Sequence, residues 1–182
     1  MIALISVLDL ITNIHNDRLL EELVLDYGLI DPSKKPIPHF SWCGAEDMDI
    51  DGAGNILQKL VASIEPFKIQ TSGIGLFTGG TPVLYIPIVK NRKLLELHEL
   101  IWNSVSSYLC NPNMFYSPDL WMPHITLAYQ DVSQKKVVHA IKIILEDPFI
   151  FTLKVNHIAI AYAEKESSGI HRQYYFSSRG DQ

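Results

Sequence analysis

Pro123-His124-Ile125-Thr126-Leu127 sets a histidine and a threonine two residues apart at the head of an apolar run, and Pro38-His39-Phe40-Ser41-Trp42 does the same earlier with a serine. Side chains on a β-strand alternate between its faces, so His39 and Ser41 point one way and Phe40 and Trp42 the other. His124 and Thr126 form the matching pair, with Ile125 and Leu127 behind them. Each stretch therefore reads as a strand with a polar face for chemistry and an apolar face for a core. Residues two apart on a strand are separated by roughly 6.6 Å, a span across which an imidazole and a hydroxyl grip one small anion.

Working outward, both stretches sit at the same place in a repeated order of elements. After His39 come a helical pattern, Pro66-Phe67 and a hairpin; after His124 come a helical pattern, Pro148-Phe149 and two further strands. A bare His-x-Ser/Thr pattern is common by chance, and the shared context supplies its specificity. Each copy alone would bury too little surface, so the repeat predicts two similar α+β lobes, around residues 39–41 and 124–126, packed into one domain spanning residues 1–182 and sharing a groove.

The elements follow from periodicity and punctuation. Ile2 to Leu10 reads as a strand covered on both faces, and Asp17 opens a short helix with Leu19, Leu20, Leu23 and Val24, ended by Gly28. Residues 31–38 carry three prolines and two lysines and read as an exposed loop. Gly52 and Gly54 precede a helix with Ile56, Leu57, Leu60, Val61 and Ile64 on one stripe, closed by Pro66. Phe67 to Phe77 and Val83 to Val89 read as a hairpin turning at Gly79 to Pro82. Asn91 caps the longest helix, carrying Leu94, Leu97, Ile101 and Val105. The segment after Cys110 has no usable period and reads as a structured loop. Beyond the second motif, Ser133 starts a helix, and Phe149 to Tyr162 and Ile170 to Ser177 form the last strands.

Composition narrows the function classes. The chain has 182 residues, 47% hydrophobic and 19% charged, which suits one folded domain. Fifteen Lys and Arg against 20 Asp and Glu argue against a broad basic face tracking a long duplex or an anionic membrane. Any phosphate should be held locally. Cys43 and Cys110 lack the spacing of a zinc or redox site and are too few for a disulfide scaffold, which points to a reducing cytoplasm. Met1 to Leu10 lacks the basic start and cleavage site of a signal peptide, and no stretch approaches the roughly 18 apolar residues of a membrane span.

If the two polar faces meet across the groove, they present two imidazoles and two hydroxyls. Hydroxyls donate to nonbridging phosphate oxygens, while one imidazole takes a proton from a nucleophile and the other gives one to a leaving oxygen. An unperturbed pKa of roughly 6.5 lets both protonation states coexist near neutrality. Such chemistry calls for no metal or other cofactor, and the scattered carboxylates Asp47, Asp49 and Asp131 do not make a ligand set.

On these residues the sequence resembles the 2H phosphoesterases, specifically the 2′-5′ RNA ligase-like and RNA 2′,3′-cyclic phosphodiesterase proteins. Pro-His-Ile-Thr-Leu at 123–127 carries most of the likeness, and Gly75-Leu76-Phe77 with Val83-Leu84-Tyr85 is similar to the family's first-lobe hairpin. The resemblance implies a duplicated bilobal α+β fold, with two antiparallel sheets flanking a central cleft and helices outside. It implies His39 and His124 as the catalytic pair, in roles not yet distinguished, and Ser41 and Thr126 as phosphate-binding hydroxyls. The implied substrate is a nucleotide or RNA end bearing a 2′,3′-cyclic phosphate or a 2′-5′ linkage, with ligation as the reverse reaction. The first motif departs from the common form in having Ser41 for threonine and Trp42 for a small aliphatic. The alternatives are a noncatalytic nucleotide or RNA-end binding module using the same cleft, and a structural domain with incidental histidines.

Other residues divide between chemistry and packing. Phe115, Tyr116 and Trp121, just before the second motif, are candidates to stack on a nucleobase at the cleft mouth. Trp42 and Tyr129 fall on core faces by parity. Cys43 shares parity with His39 and Ser41 but reads first as a small buried residue. Lys34 and Lys35 read as solvated. His15, His98, His139, His157 and His171 have no repeated partner and read as surface or capping residues, with His157 placed to line the cleft.

Overall fold

The computed structural model describes residues 1–9, 38–79, 82–128, 138, 149–164 and 167–177. The helix expected from Asp17, all but Val138 of the one expected from Ser133, the loop with Lys34 and Lys35, and Tyr129 lie outside these. The described strands are β1 (Ile2–Val7), β2 (His39–Met48), β3 (Phe67–Gln70), β4 (Gly75–Phe77), β5 (Val83–Pro87), β6 (Leu109–Pro112), β7 (His124–Ala128), β8 (Thr152–Val155), β9 (His157–Ala163) and β10 (Ser168–Tyr175). The described α-helices are α1 (Ile50–Val61) and α2 (Arg92–Val105). Every paired strand runs antiparallel to its neighbour, and the fold is α+β as expected.

Five strands form one sheet in the order β10-β9-β1-β2-β6 and three form another in the order β4-β5-β7. A two-stranded pair, β3-β8, adds to the two sheets expected. The strand carrying His39 thus shares a sheet with the final hairpin, and the strand carrying His124 shares one with the first hairpin. Among the described strands, each of these two sheets takes strands from both halves of the sequence.

The departures from the sequence reading have local causes. Phe67 to Phe77 is two strands, because β3 pairs with β8 whereas β4 pairs with β5, and Gly73 (φ +69°) lies between them. Phe149 to Tyr162 likewise divides at Asn156 into β8 and β9. Leu109–Pro112, which runs into the segment expected as a loop, forms an edge strand against β2.

α1 begins at Ile50, before the two glycines expected to precede it. Asp49 caps it by accepting the Gly52 N–H at 3.0 Å, and Ala53, Gly54, Leu57 and Val61 are buried. The glycines are there for space. A Cβ on Gly54 would lie 2.5 Å from the Tyr174 hydroxyl but 3.6 Å from Cζ of that ring, so β10 approaches the helix as closely as a bare backbone allows. As expected, Asn91 caps α2, accepting the Leu94 N–H at 2.9 Å. The core holds Phe40, Trp42, Ile86, Leu94, Ile101 and Ile125, all nearly inaccessible.

Gly54→Ala should destabilise by about 1–3 kcal/mol through this single contact. Adding Tyr174→Phe removes the clashing oxygen and keeps the helix gain of alanine over glycine, about 1 kcal/mol. Urea midpoints should therefore fall for the single variant and return to or exceed the parent's for the double. A double variant as unstable as Gly54→Ala would contradict this packing.

Candidate active site

His39, Ser41, His124 and Thr126 line one cavity of about 530 Å³ between the two sheets. His39, Ser41 and His124 are half-buried and Thr126 is exposed to it. The face opposite each motif is packed: Phe40, Trp42, Ile125 and Leu127 are all buried.

Both motif strands carry the same irregularity. Along β1–β2, Ser41 opposes Ile5 and Cys43 opposes Leu4, leaving Trp42 as an extra residue. Along β5–β7, Tyr85 opposes Thr126 and Leu84 opposes Ala128, leaving Leu127 extra. Each bulge falls on the residue after the hydroxyl. A bulge bends its strand and reverses the parity of everything beyond it. Gly44 therefore faces the cavity and Cys43 does not, which corrects the parity assigned to that cysteine. Cys43 lies in the core, where burial pushes its thiol up to about 12, so it stays protonated at neutral pH.

His124 is held on several sides. Its Nδ1 lies 2.6 Å from the Met122 carbonyl oxygen, which can only accept, so Nδ1 carries a proton and donates. Neutral His124 then has its lone pair on Nε2, and the ring packs against Phe77 and Tyr85 with centroids 5.1 Å away in each case. Burial lowers its pKa; the Met122 bond opposes this, and repulsion from His39 adds to it. That repulsion means the two imidazoles share one electrostatic environment.

The aromatic candidates separate. Tyr116, in a single 3₁₀ turn (Met114–Tyr116), lines the cavity together with Ser41 and Gly44. Trp121 does not reach the cavity, which corrects its assignment as a base-stacking residue. It is 2% exposed, its Nε1–H donates to the Ser41 carbonyl at 2.9 Å, and its ring stacks on His98 at 3.7 Å. The indole needs both a hydrogen-bond partner and a flat neighbour, and finds them behind β2. Phe115 is highly exposed beside them.

Two histidines expected at the surface are structural. His98 is buried, with Nε2–H donating to the Trp42 carbonyl at 3.0 Å. It thereby ties α2 to the strand of Ser41. His157 is buried outside the cavity, its Nδ1 on Asn156 Oδ1 at 2.8 Å and Nε2 accepting the Val7 N–H at 3.4 Å, so it does not line the cleft. Sequence reasoning missed Phe77, the Tyr116 hydroxyl and the sheet floor of Ala3, Gly44 and Ala161, which are in register across β1, β2 and β9. Among the described residues no group of three or more His, Cys, Asp or Glu is placed to hold a metal ion, and no helix is long and apolar enough to cross a membrane.

The fold and the paired histidines define a 2H phosphoesterase-like protein. The structure is similar to that of TT0787 of Thermus thermophilus, with a TM-score of 0.57 and 17% identity, covering 96% of this chain and 97% of that one. No curated protein matches the sequence. The model of the 2′-5′ RNA ligase superfamily matches residues 29–166, well over half of the chain, and the chain belongs to that superfamily. A phosphoesterase or ligase-like activity on RNA or nucleotides comes with that membership.

His98 gives a pH test of the packing behind the site. Burial outweighs its bond to the Trp42 carbonyl and lowers its pKa to about 4. An unfolded histidine titrates near 6.5, so between these values the unfolded chain binds the extra proton and stability falls as pH falls. His98→Phe, which keeps a ring against Trp121, should lose less stability than the parent between pH 7 and 4.5, by about 2–3 kcal/mol. Identical pH dependence of the urea midpoint in both proteins would contradict a buried neutral His98.

Proposed function

We propose that the protein is a metal-independent phosphodiesterase that opens a 2′,3′-cyclic phosphate, or cleaves a related 2′-5′ linkage, at a nucleotide or RNA end. The observation that carries the reading is the convergence of two histidines and two hydroxyls on one cavity, each pair followed by a bulge at the same place. This is also what a duplicated pair of lobes would produce.

His124 suits the base. Its Nδ1–H is committed to Met122, and its lowered pKa keeps the ring neutral near pH 7, so Nε2 is ready to accept a proton. Water attacks phosphorus, His124 takes the water proton, the bond from phosphorus to one ribose oxygen breaks, and His39 protonates that oxygen. Ser41 and Thr126 donate to the nonbridging oxygens while charge develops there. The same step with a hydroxyl in place of water joins it to the cyclic phosphate, His124 taking the hydroxyl proton and His39 protonating the ribose oxygen that leaves, which accommodates ligation. The cavity exceeds what a phosphate needs, and Phe77, Tyr116 and the Gly44-Ala3-Ala161 floor leave room for the attached nucleoside.

Nucleoside 2′,3′-cyclic phosphates should be hydrolysed in excess chelator. His39→Ala and His124→Ala should each lose roughly 10²- to 10⁴-fold in kcat with unchanged melting. A base works only when unprotonated, so kcat/KM should rise with pH through a value below 6.5, and His124→Ala should abolish that limb. Tight binding without turnover would favour a binding module instead. Unchanged rates in both variants would remove the catalytic assignment.

A further inference from the structure

The bulge in β2 decides what the first motif shows to the cavity. In an unbroken strand the residue two places after Ser41 shares its face, so Cys43 would line the cavity and Gly44 would not. With Trp42 as the extra residue, Ser41 and Gly44 both line it and Cys43 enters the core. The serine hydroxyl and the floor beside it therefore share one cavity only while the bulge holds.

A bulge takes its own residue out of the ladder. Trp42 opposes no residue of β1, and β6 pairs with β2 only from Ala45 onward, so among the described strands Trp42 has no partner on either side. Side chains bond the backbone instead. Trp121 Nε1–H donates to the Ser41 carbonyl at 2.9 Å and His98 Nε2–H to the Trp42 carbonyl at 3.0 Å, two successive carbonyls met by two rings stacked nearly parallel at 3.7 Å. Successive carbonyls of a regular strand point to opposite edges, so one stacked pair reaches both only where the bulge has turned them. His98 and Trp121 are both almost fully buried, and water cannot take over their bonds. A buried carbonyl stripped of its partner costs more than the bond itself contributes, so relaxing the bulge is the response to losing either donor.

We propose that His98 is a positioning residue for the anion site: through the Trp42 carbonyl and the stacked Trp121 it holds the bulge that aims the Ser41 hydroxyl at a phosphate oxygen. The inference rests on Ser41 being a phosphate ligand. The imidazole does not line the cavity, and its part is to supply a flat face for the indole and an N–H for the carbonyl at once. Such control matters because a displacement of about 1 Å in a site of this kind costs as much as ~10²-fold. Phenylalanine keeps the face without the N–H, and glutamine keeps an N–H without the face, so the two demands can be separated.

Binding of a nucleoside 2′-monophosphate, measured by calorimetry well below each variant's melting temperature, tests this without depending on turnover. His98→Phe should weaken binding roughly threefold to tenfold, the scale of one hydrogen bond. His98→Gln, whose amide places a donor near the position of Nε2–H, should stay within about twofold of the parent. The loss must also pass through Ser41: His98→Phe should keep its full factor in a Thr126→Ala background and add almost nothing in a Ser41→Ala background. Parent affinity in His98→Phe, a His98→Gln as weak as His98→Phe, or an equal factor in both backgrounds would each overturn the proposal while leaving Ser41 as a phosphate ligand. Should Ser41→Ala bind as the parent does, or the parent not bind at all, Ser41 is no phosphate ligand and the proposal falls with that reading. The expected order in a protein that turns over no cyclic phosphate would support the positioning role and remove the phosphodiesterase reading.

Discussion

Two strands that each present a histidine and a hydroxyl to water must bury their other faces, and that constraint shapes the rest of the molecule. Behind β2 lie Phe40 and Trp42; behind β7 lie Ile125 and Leu127. Burying four large side chains contributes on the order of 1.5–3 kcal/mol each, so neither strand can rotate to hide its polar face without exposing them. The cavity is thus a consequence of the core, and the imidazoles cannot leave it while the core is intact.

The aromatic layer behind β2 extends this constraint from one strand to several. Trp42 Nε1–H donates to Ser6 Oγ at 2.9 Å, and Ser6 in turn donates to the His157 carbonyl at 2.6 Å, joining β2 to β1 and β9. Trp121 stacks on Trp42 with centroids 5.7 Å apart and holds the Ser41 carbonyl. These buried polar groups are satisfied by specific partners, so loosening one leaves a neighbour unpaired in a low-dielectric interior. Trp42 in place of a small aliphatic, a departure from the family's common motif, is what this layer is built around.

Much of the site was legible in the sequence because strand alternation is a strict rule over short distances. From Pro-His-x-Ser/Thr alone, the polar face of each motif follows, and so does the core role of Trp42. The bulges at Trp42 and Leu127 were not legible, since a bulge depends on the partner strand's register, and so the parity of Cys43 came out reversed. Trp121 and His98 depart from the sequence reading for different reasons. Trp121 lies in an aperiodic segment, where no pattern says whether an aromatic finds a buried partner, whereas His98 lies in α2 four residues after Leu94 and three before Ile101, on the buried stripe, where it stacks on Trp121. Gly52 and Gly54 read as helix boundaries because glycine weakens a helix; only the approach of Tyr108 and Tyr174 shows why they stand within one. Strand exchange between the two halves leaves no local signature at all.

The central claim is that His39 and His124 act on one phosphate. Histidine ring protons followed by NMR against pH, with and without a nucleoside 2′-monophosphate, test it most directly. A phosphate dianion held between the two rings should raise the pKa of both together, since each protonated imidazole is stabilised by the same charge. Movement of only one ring, or of neither while the ligand is bound, would contradict the account.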